Sequence, residues 1–396
     1  MNRMVGFLIR NNRIKKGMSQ EQLCKDICAV SYLSKIEKGI AQPNPEIVNQ
    51  LFERLGMTYE ESDDFVRKYR RIIHNYFEAY FHQEETIEYE EEIFKARKQL
   101  ANSELNISYQ LFCLYQAGSS DDGVVKKILR DLQVFREYMR EEEAFLYEMA
   151  RGMFSKDPWI RKDSLIKAEH IMPNSLVSEA LMYEHYYMGE YQEALNYCHS
   201  GYERAMREGF LLVAKQISFL EGVCYANLHN LDLMLKAYNR SKELSRGDKG
   251  ILASIDYNIG TAYVEHEKWE EAIPYLLEAL QVENGETSLF LICHKLALAF
   301  EQGGRKEEGS TYLSRAVELA KKLEPVHQDM IRFVELRYTK DYLNDEEYAR
   351  LLNELYDMKE EMGEDFVRFH KSYMVEWLKS KRKYKEAYEL VATSDR

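Results

Sequence analysis

The side chains best placed for chemistry lie close together near the N-terminus. Ser31, Ser34 and Lys35 fall three and four residues apart, with Val30, Tyr32 and Lys38 around them. On one helix face, two hydroxyls can donate to or accept from base edges. The Lys35 ammonium can reach a guanine edge or a phosphate, and Val30 or Tyr32 can meet a thymine methyl. Gln20, Arg10, Arg13 and Lys38 add groups suited to phosphate oxygens. This chemistry recognises a ligand; it does not turn one over. A protein-docking bundle with solvated Lys and Ser is the plainer alternative.

Catalytic patterns are missing. The chain has no G-x-x-x-x-G-K-[ST], G-x-G-x-x-G, H-E-x-x-H or G-x-S-x-G segment. Its ten histidines are scattered, and none has metal-ligand spacing with the six cysteines, so no enzyme, cofactor or metal is expected. Cys24, Cys28, Cys113, Cys198, Cys224 and Cys293 form no paired framework and read as reduced, buried thiols. With no signal peptide and no apolar run near the ~20 residues of a membrane span, a cytoplasmic location away from membranes is expected.

Charge is divided unevenly along the 396 residues. The chain carries −13 overall, but residues 1–58 hold nine Lys/Arg against five acids, so the head is +4 and the remainder −17. A basic head on an acidic body fits contact with nucleic acid through the head alone. With only 6 prolines and 19 glycines, the composition favours helix.

Short helices must position the head residues. The pattern predicts a first helix from Arg3 to Lys16 closed by Gly17, and a second over 19–27 opened by the capping box Ser19-x-x-Gln22. A third covers 30–38, with Leu33 and Ile36 inward, and a fourth starts at Pro45 with Asn44 as its N-cap. Two helices joined by a tight turn are helix-turn-helix geometry, whose second helix enters the major groove. Glu37 reads as an ion-pair partner for Arg10 or Arg13. A linker follows over 59–100: a helix from Tyr59 to Gln83, then the acidic run 84–92. Its basic cluster Arg67-Lys68-x-Arg70-Arg71 fits either DNA flanks or a solvated face.

Over Met18-Ser19-Gln20-Glu21-Gln22-Leu23 and Ser31-x-x-Ser34-x-Ile36-Glu37-x-Gly39, the head resembles the Xre-type helix-turn-helix of lambdoid repressors. The turn Ile27-Cys28-Ala29-Val30-Ser31 is similar instead to that of the RRNPP peptide-pheromone receptor regulators of Gram-positive bacteria. The resemblance implies that Val30, Ser31, Tyr32, Ser34 and Lys35 read bases of double-stranded operator DNA.

The body, 101–396, repeats. Asp256-x-x-Ile259-Gly260-x-x-Tyr263 followed by Trp269-x-x-Ala272-x-x-x-Leu276-x-x-Ala279 resembles a tetratricopeptide (TPR) hairpin. Corresponding anchors fall at Ala194, Met234, Ala272, Gly309, Ala349 and Ala387, spaced 37 to 40 residues apart, with Arg337 standing where the Ala349 copy should have a small residue. Hairpins before them are expected at Leu105–Gln116 with Val124–Tyr138, and Ala144–Phe154 with Ser164–His170. Such hairpins bury their apolar faces only by stacking, which predicts an all-α, right-handed TPR-like solenoid with a concave groove.

Repeat spacing puts Glu179, Tyr183, Tyr187, Gln216, Asn227, Tyr257, Asn258, His294, Lys295, Gln302 and Tyr338 on the inward face. Amides bond a peptide backbone in both directions and tyrosines add rigid area. The RRNPP resemblance implies that groove asparagines hold a short signalling peptide, and by position Asn227 and Asn258 match. The expected protein is a homodimeric, peptide-responsive transcription regulator involved in quorum sensing. A body that docks a protein partner such as a response regulator is the alternative.

Overall fold

The computed structural model describes residues 3–392 apart from 61, 119–121, 284 and 359–363. Among the described residues every regular element is helical, and the one β feature is an isolated parallel bridge between Glu60 and Ser103. The chain forms two compact units, Met1–Ala214 and Lys215–Arg396. The segments expected as head and linker both lie in the first.

In the first unit, α1 (Arg3–Lys15), α2 (Gln20–Cys24), α3 (Val30–Glu37) and α4 (Pro45–Arg54) follow the expected order. Local capping sets their ends. Ser19 Oγ accepts from Gln22 N at 3.1 Å while Gln22 Oε1 accepts from Ser19 N at 2.7 Å, and Asn44 Oδ1 accepts from Ile47 N at 2.9 Å. The second helix is shorter than the expected 19–27. Lys25 leaves the helical region and Asp26 takes a left-handed φ of 60°, a conformation that Asp tolerates better than most residues. Gly6 lets α1 and α3 touch: a Cβ there would sit 1.9 Å from the Ile36 carbonyl oxygen.

The unit continues through α5 (Asp63–Phe81), α6 (Ile87–Lys95), α7 (Arg97–Ala101), α8 (Asn106–Ala117), α9 (Asp122–Gln133), α10 (Glu141–Phe154), α11 (Pro158–Ile171), α12 (Ser175–Tyr187) and α13 (Tyr191–Glu208). The helix expected from Tyr59 starts later, at Asp63, where Ser62 Oγ caps it by accepting from Phe65 N. Its apolar face is aromatic. Tyr76 packs edge-on to Phe112 at 4.8 Å and Phe77 to Tyr115 at 5.2 Å, and the polar tips are satisfied by Gln116 and the Leu146 carbonyl. One continuous core runs from Met4 through this layer to Leu181. Phe7 of α1 joins it by packing on Phe135 and Tyr138, with centroids 4.2 and 5.5 Å away. The hairpins expected before Ala194 correspond to α8 with α9 and α10 with α11.

The boundary between units falls within α14 (Leu211–Asn227). The second unit continues with α15 (Leu231–Leu244), α16 (Lys249–Glu265), α17 (Trp269–Val282), α18 (Glu286–Gln302), α19 (Lys306–Ala320), α20 (Pro325–Arg337), α21 (Glu346–Asp357), α22 (Glu364–Ser380) and α23 (Tyr384–Ala392). Here the repeat logic is visible atom by atom. A Cβ on Gly260 would lie 2.6 Å from Leu276 Cγ, and one on Gly222 would lie 2.5 Å from the Tyr238 ring. In these two hairpins the small residue of the first helix receives the bulky residue four positions after the second helix's anchor. Anchors Met234, Ala272, Gly309 and Ala387 are buried, as is Ala194 in the first unit. The Ala349 copy departs from register: Ala349 is half-buried and its neighbour Tyr348 is fully buried instead.

Arg337 explains its own departure from the repeat pattern. It is 1% exposed, donates to Glu301 (3.0 Å), Glu376 (2.9 Å) and the Tyr348 hydroxyl (2.9 Å), and its guanidinium carbon lies 4.7 Å from both the Tyr342 and Tyr373 ring centroids. A planar guanidinium can satisfy two carboxylates and two rings at once where a small residue would leave a hole.

Candidate DNA interface and repeat-face residues

The tight turn at 25–29 holds α2 and α3 as a pair, with Leu23, Leu33 and Ile36 buried between them. That packing turns Val30, Ser31, Lys35 and Lys38 outward, with Val30 43% exposed. Tyr32 and Ser34 are half-buried at the edge of the same face, and the Tyr32 hydroxyl donates to the Gln42 carbonyl at 3.3 Å. Arg10 is exposed on α1.

Arg13, expected on phosphate, faces the other way. Its Nε and Nη2 donate to Glu37 Oε1 and Oε2 at 2.6 and 2.9 Å, and Nη1 donates to the Met18 carbonyl at 2.9 Å. The Glu37 hydrogen bond holds its pKa above the ordinary arginine value. The pairing expected between Glu37 and Arg10 or Arg13 is made by Arg13, whose donors are thereby withdrawn from solvent. Gln20 Nε2 completes the network by donating to Glu37 Oε2 at 2.7 Å. The basic cluster on α5 is mostly engaged as well: Arg67 pairs with Asp64, Lys68 with Glu92 and Arg70 with Glu104, while Arg71 forms no ion pair among the described residues.

The first unit supplies one candidate stripe. Glu179, Tyr183 and Tyr187 recur every four residues along α12, and the two rings stack 6.2 Å apart. Tyr187 is 72% exposed, whereas burial raises the Glu179 carboxyl to about 7 and the Tyr183 hydroxyl to about 12. The stripe thus runs from a desolvated carboxyl to an open ring.

In the second unit Gln216, Asn227, Tyr257, Asn258, Gln302 and Tyr338 are half-buried. Asn227 Nδ2 is turned onto its own helix, donating to the Val223 carbonyl at 3.0 Å, and Tyr338 donates to the Ala297 carbonyl at 2.8 Å. Asn258 makes no side-chain hydrogen bond among the described residues. Burial raises the Tyr257 hydroxyl to about 12.

His294 and Lys295 correct the expectation of an open face. They are 0% and 7% exposed because α22 covers this stretch of α18. Lys295 Nζ lies 2.9 Å above the Phe369 ring centroid, and the His294 ring packs between Phe290 and Phe369. Among the described residues no well-formed side-chain hydrogen bond reaches the His294 ring or Nε2 of the neighbouring His370. Desolvation pushes Lys295 down to about 7, His370 to about 4 and His294 well below the ordinary histidine value.

Sequence reasoning marked Arg337 only as a departure from the repeat, without its buried network, and did not find a cleft beside α1. No group of three or more metal-ligating side chains converges among the described residues, and none of their helices is long and apolar enough to cross a membrane.

No curated protein matches the chain in sequence. Residues 9–62 match the helix-turn-helix family HTH_3. Among solved structures, the chain is similar to the apo form of the quorum sensor NprR from B. thuringiensis, with a TM-score of 0.64 at 16% identity over 83% of this chain and 97% of that one. It is similar to apo RapI, at 0.66 and 13% identity over the same shares. NprR in complex with its cognate peptide NprX gives 0.53 at 16% identity, over 83% of this chain and all of that one. The all-helical architecture expected from the sequence is therefore that of NprR and RapI, with a helix-turn-helix domain at its N-terminus.

Proposed function

We propose that the protein is a peptide-responsive transcription regulator. Its head binds operator DNA through α3, and its repeats hold a short signalling peptide. The observation that carries this reading is the outward face of α3, where Val30, Ser31 and Lys35 are exposed on a helix fixed by a helix-turn-helix core, in a chain whose fold is that of a quorum sensor. Base edges are read from Val30, Ser31, Tyr32, Ser34 and Lys35, with Lys38 and Arg10 on phosphates. Asn258, whose amide is uncommitted, is the first choice for the peptide backbone, beside Tyr257. Two chains pair through their bodies and set two heads ~34 Å apart over a near-palindrome. Peptide then shifts operator binding by its different affinities for two arrangements of the heads.

The test selects an operator from random duplex DNA, then titrates the full chain with short peptides encoded near its gene. Saturable peptide binding that weakens on Asn258→Ala and changes operator affinity supports the reading. Operator binding that no peptide alters points to a body that docks a protein partner.

A further inference from the structure

Beside α1 lies a cleft of about 960 Å³, walled by α1, the turn after α4, α7, α8 and the end of α9. It lies wholly within the first unit and is separate from both the outward face of α3 and the repeat stripes. Its volume is at the upper end of the about 300–1,000 Å³ usual for small-molecule sites.

The lining divides by chemistry. Lys15, Arg97 and Lys98 bring three cations from two helices, and none forms an ion pair among the described residues. Asn11 and Asn12, one turn before Lys15, are half-buried with uncommitted amides. Tyr109 adds a half-buried aromatic ring, and Glu60 and Asp131 supply two carboxylates without ion-pair partners among the described residues.

We propose that this cleft binds a nucleotide. Each feature of that ligand class has its counterpart: cations for phosphate oxygens, a ring surface for the base, amides that both donate and accept for the base edge, and a carboxylate for ribose hydroxyls. Because α1 belongs to the DNA-binding head and α7–α9 to the layer behind it, a molecule filling the cleft touches both.

The experiment is isothermal titration of the full chain with ATP, GTP, AMP, cyclic dinucleotides, adenosine and inorganic phosphate. One nucleotide is expected to bind with one site per chain in the micromolar range. The double variant Arg97→Glu/Lys98→Glu, both on exposed side chains, should weaken it at least tenfold. Asn12→Leu should weaken it while leaving the melting temperature within a few degrees. Lys249→Glu, in the second unit, should leave it unchanged. The proposal is overturned if no nucleotide binds, if phosphate alone binds as tightly as the nucleotide, or if the double variant binds normally.

Discussion

Arg13 of α1 and Glu37 at the end of α3 are joined by two parallel charge-assisted hydrogen bonds, and both side chains are largely withdrawn from water. The pair fastens the helix that presents Ser31 and Lys35 to the helix behind it. Glu37→Ala leaves the Arg13 guanidinium part-buried without its acid, so a loss of about 2–4 kcal/mol of head stability is expected. Arg13→Lys should not restore it, because an ammonium cannot make the two-pronged contact. Chemical denaturation followed by circular dichroism reads both, and a stability within 0.5 kcal/mol of the parent for Glu37→Ala would dismiss the role (about the scatter of neutral surface changes).

Ser31→Ala with Lys35→Ala removes two exposed side chains. The melting curve should be unchanged and specific operator affinity should fall by about 2–4 kcal/mol, the sum of two lost base contacts at roughly 1–2 kcal/mol each. Arg10→Ala should weaken all DNA sequences alike and flatten the salt dependence. Band-shift titrations at two salt concentrations separate the two effects.

Arg337→Met leaves Glu301, in the core of the second unit, with only its longer ion pair to Lys306 (3.5 Å), and the Tyr348 hydroxyl without its guanidinium partner. A loss of about 3–5 kcal/mol is expected. The double variant Arg337→Met/Glu301→Gln should recover part of it, because the uncompensated charge is gone. Equal losses in the single and double variants would show that packing, not charge pairing, is what Arg337 provides.

Lys295 is the opposite case, a buried cation with no ion-pair partner among the described residues. Its folded pKa is pushed down to about 7 from an ordinary 10.5, so between those values the unfolded chain holds a proton that the folded chain has shed. Stability from this group therefore rises with pH across about 7 to 10.5. Lys295→Met should stabilise by about 1–4 kcal/mol at pH 7 and by progressively less toward pH 10. His370, lowered to about 4, works in the same direction between about 4 and 6.5, and the groups around this cluster are His294, His327 and, farther off, Glu265. Thermal melts of parent and variant across pH 5–10 trace the difference.

Much of this was legible from residues whose signals are local. Ser19 with Gln22, and Asn44 with Pro45, declare helix starts through bonds made within three residues. Gly260 and Leu276 declare a hairpin because a small residue must face a large one. His294, Lys295 and Arg337 were not legible in that way. Helical periodicity says which side chains share a face but not what lies over it, and α22 covers α18 from some 75 residues further on. Arg13 was ambiguous for a related reason: a basic residue near a basic helix reads as a phosphate contact until its acid partner is located in space.

Phe7 sits on Phe135 and Tyr138, in a core that does not stop where the helix-turn-helix stops. The head is thus not a bead on a string. Cutting the gene after residue 58 would strip Phe7 of Phe135 and Tyr138 and Phe52 of Tyr59, giving a fragment prone to aggregation and proteolysis. Loosening of the helices at 105–138 would be felt by the head as a loss of cooperativity, because the two fold on the same contacts.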